Sequence, residues 1–250
     1  MNTETTECAT CEGHGGKSAR WLGRDPESGD DVIGFQAYCD CPAGQQAQAE
    51  ADRWQHYQER EAQAALLAEL WAGAKVPAHF ADCLLDSFPE TPATQPPLTV
   101  LRQWLDTDRW LLLHGGHGVG KTGLAAGLLR ELLARGQTGL FATSIDMLAR
   151  VRATYGGDGQ TEAVLSSIRE VDILVLDDLG AERHTDWTTE LLLSVLNHRH
   201  DWHQRTIITS NRTPSNLGEH IGERTFWRIV ELADVHEVRG PNLRLRWQAA

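Results

Sequence analysis

The sequence predicts an α/β protein: a parallel sheet sandwiched by helices and built around a phosphate-binding loop. Three observations carry this. Gly115-Gly-His-Gly-Val-Gly-Lys121-Thr122 fits G-x-x-x-x-G-K-[ST] and lies between an apolar run at 110–113 and a Leu-rich helical pattern. A second apolar run, at 173–176, ends in Asp177-Asp178. Around both, strand and helix patterns alternate, as they do in a parallel sheet covered by helices.

In chain order, the first 45 residues hold four of the five cysteines. Cys8-Ala-Thr-Cys11 and Cys39-Asp-Cys41 form two close pairs, separated by a polar stretch with turn signals at Asp25-Pro26 and Ser28-Gly29. Tetrahedral zinc suits two short loops that each present two sulfurs, so Cys8, Cys11, Cys39 and Cys41 are the expected Zn²⁺ ligands. So small a segment has little apolar core, and the metal would supply much of its folding energy. Residues 46–75 read as a helical linker or partner-binding helix. The chain from Gln45 to Ala72 contains no Gly or Pro, and Gly73 and Pro77 end the helix. The main domain is expected over 76–250, entered through a Pro-rich loop and a short helix near 98–105.

Residues 110–114 read as the first strand of that domain. Gly115, Gly116, Gly118 and Gly120 lack a Cβ, which lets backbone N–H groups converge on an anion; His117 and Val119 fill the remaining loop positions. A helix over 121–135 aims its free N–H groups and positive dipole end at the same point. Lys121 is expected to reach the β- and γ-phosphates of ATP, and the Thr122 hydroxyl to hold Mg²⁺. Leu124, Leu128 and Leu132 recur at four-residue spacing, widened by Leu129 and Leu133 into a buried stripe. A strand over 138–143 and helices over 144–154 and 160–169 follow. The strand over 172–177 then closes on two carboxylates, which are costly to bury without a cation. Asp177 is expected on Mg²⁺ and Asp178 on the attacking water. A helix over 186–200 and a strand over 206–210 complete the alternation. On local evidence Asn211 reads equally as a γ-phosphate or water contact and as part of a turn before Pro214.

At 250 residues the chain has room for one substantial domain and a small appendage. Its 23 basic and 35 acidic residues leave a net charge of −12, which disfavours non-specific DNA binding outside a local basic patch. Lysine occurs only at 17, 75 and 121, so positive charge is almost all arginine. Apolar runs are too short to span a bilayer, and the N-terminus has no signal-peptide pattern. A cytoplasmic protein without membrane contact is therefore expected.

With these residues in this order, the chain resembles the DnaC/IstB-like branch of the AAA+ ATPases, which includes bacterial and phage helicase loaders. The likeness spans roughly residues 76 to 245. It rests on the phosphate loop, Val175-Leu-Asp177-Asp178-Leu-Gly180, Thr209-Ser-Asn211, Gly222-Glu-Arg224 with Arg228 four residues on, and Gly240-Pro-Asn-Leu-Arg244. The resemblance implies a P-loop NTPase of the AAA+ type with a reduced C-terminal lid, an ATP hydrolase. It implies that Asn211 is the sensor asparagine and that Arg228 is the arginine finger reaching a neighbour's ATP, with Arg224 as close competitor. Arg244 falls at a second sensor position, although Pro241-Asn242 departs from the usual pattern. A finger given in trans implies a homo-oligomer formed through the ATP interface. The cysteine-bearing N-terminus resembles zinc-bearing helicase-binding domains of some loaders, whereas transposition-associated relatives usually lack such a module. It therefore implies a replicative helicase as partner and single-stranded DNA as the surface loaded. Arg150-Val-Arg152-Ala-Thr-Tyr155 is the best local candidate for that DNA contact. Two alternatives stay open: a transposition ATP-binding protein that recruits a transposase on DNA, and a zinc-dependent adaptor that uses ATP as an assembly switch.

Overall fold

The computed structural model describes residues 11, 12, 14–26, 28–88, 96, 98–155 and 160–243. Cys8 and Arg244 lie outside them. The chain forms two compact units, Met1–Leu66 and Leu67–Ala250. The division falls inside α1 (Pro42–Gly73), a single helix across the segment where a linker is expected.

In the first unit, β1 (Gly16–Arg24) pairs antiparallel with β2 (Asp31–Tyr38). Their turn is closed by the Asp25 N–H donating to Asp30 O and the Gly29 N–H to Asp25 O, both at 2.8 Å. The turn signals between the cysteine pairs thus join two strands. The part of α1 in this unit buries only Gly44 and Ala51, in keeping with its Gln- and Glu-rich sequence.

The second unit is a three-layer α/β sandwich. Its sheet has the order β4-β5-β6-β3-β7, all parallel, from β3 (Trp110–His114), β4 (Gly139–Thr143), β5 (Ile173–Asp177), β6 (Arg205–Ser210) and β7 (Ala233–Glu237). Successive strand side chains point to opposite faces, so each strand feeds two cores. Leu111, Leu113, Ile173, Val175 and Ile207 join Leu124, Leu128, Leu129 and Leu132 of α3 (Lys121–Ala134) and Trp104 of α2 (Leu98–Trp104) on one side. Leu112, Leu174, Leu176 and Ile208 face the other side. There they meet α4 (Ser144–Ala153), α5 (Gln160–Arg169), α6 (Asp186–Asp201), α7 (Pro214–Ile221) and α8 (Glu223–Leu232).

Local chemistry sets the helix starts. Thr143 and Thr213 accept from Asp146 and Asn216 as N-caps, Thr185 and Thr188 form a reciprocal capping box, and Pro214 opens α7. Beneath the sheet, fully buried Arg199 donates to the carbonyls of Ile168, Arg169, Val171, Asp172 and Arg205 and to Thr206 Oγ1. Burial pushes its pKa down to about 9, with Asp172 opposing, so it stays charged at neutral pH. No α-helix follows β7 among the described residues. None of the described helices is long and apolar enough to cross a membrane.

Candidate nucleotide site

Parallel strands end on one edge of the sheet, where crossover loops leave a crevice. The ends of β3, β5 and β6 bring three segments together there. The loop after β3 enters α3 at Gly120, with φ +100° and no side chain capping the helix. With no side chain at its cap, the first turn of α3 turns its positive dipole end to the loop, an arrangement suited to an anion. A Cβ at Gly118, with φ +78°, would sit 2.1 Å from Asn242 Oδ1, so the loop depends on glycine there. Leu243 N–H donates to Gly118 O at 2.8 Å, and Val238 N–H to His114 O at 2.6 Å. The chain after β7 thus clasps the loop as far as Leu243, the residue before the predicted second sensor.

Lys121 is only 6% exposed. Its ammonium donates to Gly115 O at 3.0 Å, Gly116 O at 2.7 Å and Asn211 Oδ1 at 2.7 Å. Asn211 turns its Nδ2 to Asp178 Oδ1, so one side chain joins the loop cation to the second carboxylate. Asn211 thus lies between Lys121 and Asp178 at the crevice. Asp178 holds φ +55°, a left-handed conformation that Asp tolerates better than most residues. Gly180 follows with φ +94°.

Asp177 is 7% exposed. Burial raises its pKa, hydrogen bonds from Thr209 and Thr122 pull it down, and Asp178 raises it again while Lys121 lowers it. Thr122 and Asp177 therefore meet as a hydroxyl–carboxylate pair, a hard oxygen donor set suited to Mg²⁺.

Thr209, which sequence reasoning left unassigned, serves both acids. Its hydroxyl donates to Asp177 Oδ1 at 2.6 Å and accepts from the Asp178 N–H at 2.9 Å. The signal for it is register: Leu176 faces Ile208 across β5 and β6, which puts the next pair, Asp177 and Thr209, side by side.

Arg224 and Arg228 both lie on α8. Arg228 is engaged there, with Nε donating to Asn197 Oδ1 at 3.3 Å and Nη1 3.2 Å from Glu231 Oε2, whereas Arg224 is exposed.

Two further groups draw on other residues. In the first unit, the thiols of Cys11, Cys39 and Cys41 all lie within 4.8 Å of one another, with Cys11 Sγ 3.5 Å from Cys41 Sγ. In the second unit, Arg152 stacks 4.4 Å from the centroid of the Trp187 ring. Trp187 Nε1 donates to the Tyr155 hydroxyl at 2.6 Å, and the two rings meet edge to face at 6.0 Å. Tyr155 is 55% exposed. Trp187 was not singled out in the sequence; it belongs to the first turn of α6, distant in the chain from Arg152 and Tyr155.

The family model described as "IstB-like ATP binding protein" matches residues 79–249. The chain is similar to the replicative helicase loader DnaC of Escherichia coli strain K12, 27% identical over 119 residues, which are 47% of this chain and 49% of DnaC. It thus spans about half the length of that relative. It is also similar to a putative ATP-binding protein in an insertion sequence of Mycobacterium tuberculosis, 28% identical over 174 residues, 68% of this chain and 69% of that protein. The crystal structure of the DnaC helicase loader superposes with a TM-score of 0.60 at 25% identity, over 65% of this chain and 100% of that one. The phosphate loop, the paired carboxylates and Asn211 stand on this sheet in the expected order, and the chain belongs to the IstB-like ATP-binding family, its second unit a P-loop AAA+ domain.

Proposed function

We propose that this chain is an ATP-driven loader that carries a replicative DNA helicase onto single-stranded DNA, with ATP binding assembling its copies and hydrolysis releasing the partner. The observation that carries loading over transposition is the convergence of Cys11, Cys39 and Cys41 in a unit that precedes the ATPase domain. Three thiols around one point fit tetrahedral Zn²⁺, with Cys8 the fourth ligand, and a zinc-stapled module together with α1 supplies a surface for the helicase. A transposase recruiter or a nucleotide-switched adaptor needs the same ATP site, but the first has no evident use for such a module.

At the ATP site, Lys121 and the N-terminal turn of α3 bind the phosphates. Asp177 and Thr122 would hold Mg²⁺, which would neutralise charge on the phosphate oxygens. Asp178 accepts a proton from the attacking water, and Asn211 fixes the Asp178 carboxylate relative to Lys121. An arginine of α8 from a neighbouring copy completes the charge balance. The Arg152–Trp187–Tyr155 stack offers a cation and aromatic faces to unpaired bases.

Steady-state ATP turnover of the full chain with and without DNA tests this reading. Single-stranded DNA should raise turnover more than duplex of equal length, and Lys121→Ala should abolish nucleotide binding and turnover together. Stimulation by duplex alone would favour the transposition reading.

A further inference from the structure

The loop that follows β5 carries an acid that the ATP chemistry leaves unused. Residues 181–186 of this loop face water except Glu182, which is 5% exposed. A buried carboxylate is costly unless hydrogen bonds meet it. Glu182 Oε2 accepts the Gly180 N–H at 2.9 Å, and the carbonyl of Glu182 lies 2.8 Å from His220 Nε2 on α7. A carbonyl can only accept, so that ring nitrogen carries the proton. The same nitrogen is 3.9 Å from Glu182 Oε1. The acid therefore folds back on its own loop, and α7 backs it.

The backbone between β5 and Glu182 is twice left-handed, at Asp178 (φ +55°) and at Gly180 (φ +94°). An aspartate keeps that conformation only where its surroundings over-determine it. Here they act from several sides. The Asp178 N–H donates to Thr209 Oγ1 at 2.9 Å, Asp178 O accepts from Ser144 Oγ at 3.1 Å, and Leu179 O accepts from Ser210 Oγ at 2.6 Å. At Gly180, Arg212 Nε donates to the carbonyl at 2.8 Å, and Glu182 takes the N–H. Shortening Glu182 to alanine would leave the N–H of buried Gly180 without its acceptor. Rotating that peptide to reach water would disturb Asp178 two residues back, whose Oδ1 stands on Asn211 Nδ2.

We infer that Glu182 positions Asp178 for hydrolysis: by holding the Gly180 N–H from inside the loop, it keeps Asp178 in its left-handed conformation and its carboxylate on the attacking water. Glu182 acts through Gly180 and Asp178, so it is a positioning residue. The inference rests on the ATP-hydrolysis reading above and concerns a single copy of the chain.

The test is steady-state ATP turnover of the full chain, resolved into kcat and KM, alongside binding of a fluorescent ATP analogue and thermal melting. Glu182→Ala should bind the analogue as wild type does, since Lys121 and its loop are untouched. Its kcat should fall by about tenfold or more, with KM little changed. Glu182→Gln keeps an acceptor oxygen for the Gly180 N–H and should recover most of that loss. Arg212→Met, which removes the hold on the Gly180 carbonyl, should lower kcat in the same way, and it carries the test if Glu182→Ala melts below the assay temperature. Wild-type kcat in Glu182→Ala, or in Arg212→Met where that variant carries the test, would overturn the inference. So would a loss confined to KM and analogue binding, or a Glu182→Gln variant as slow as Glu182→Ala. Each of these leaves the ATP-hydrolysis reading standing. Absence of turnover by wild type, or full turnover by Asp178→Asn, would overturn both.

Discussion

Asp177 shows what the site costs the fold. Its carboxyl is buried at the end of β5, and burial raises its pKa despite hydrogen bonds from Thr209 and Thr122. A raised native pKa means the folded chain takes up the proton more readily than the unfolded one, so at neutral pH the ionised acid lowers stability. Asp177→Asn should therefore raise the melting temperature in magnesium-free buffer at neutral pH, by about 2–4 °C for a chain of this size. The gain should shrink as pH falls toward the raised pKa, where wild type carries the proton itself. Added Mg²⁺ and ATP should stabilise wild type and leave the variant behind. A melting temperature unchanged or lowered at neutral pH would contradict this account of Asp177. At this scale much was legible: Lys121, Thr122, Asp177, Asp178 and Asn211 converge as their motifs imply. Thr209 was not, because a threonine in a β-branched strand reads as packing until the register places it beside two acids.

Among the elements, β3 to β6 and the helices between them were legible because apolar runs ending in polar residues mark buried parallel strands. Others were not, among them α7, β7 and the β1–β2 hairpin. β7 is an edge strand, Ala233-Asp-Val-His-Glu237, with only Ala233 buried, so it has no apolar run to announce it. The β1–β2 hairpin was visible only as turn signals between cysteine pairs, since its strands alternate weakly and expose most of β1. So thin a hairpin needs another source of stability, and zinc on the converging thiols, as proposed above, would provide one. Metal analysis of chain purified without chelator should find about one zinc per chain. Stripping it should abolish protease resistance in the first unit before the second. A metal-free chain with a protease-resistant hairpin would remove zinc from the account.

At the scale of the molecule, the chain is acidic and poor in lysine, and the Arg152–Trp187–Tyr155 stack, proposed above as the contact to unpaired bases, combines a cation with rings. Its members come from α4, the turn after it and α6, so only the fold assembles it. The most direct test is retention of the replicative helicase encoded by the same genome on circular single-stranded DNA, read by gel filtration. Wild-type chain with ATP should leave helicase on the circle, and Asp178→Asn should form the complex yet fail to release the helicase from the loader. Helicase retention that is the same with and without this protein would contradict the account.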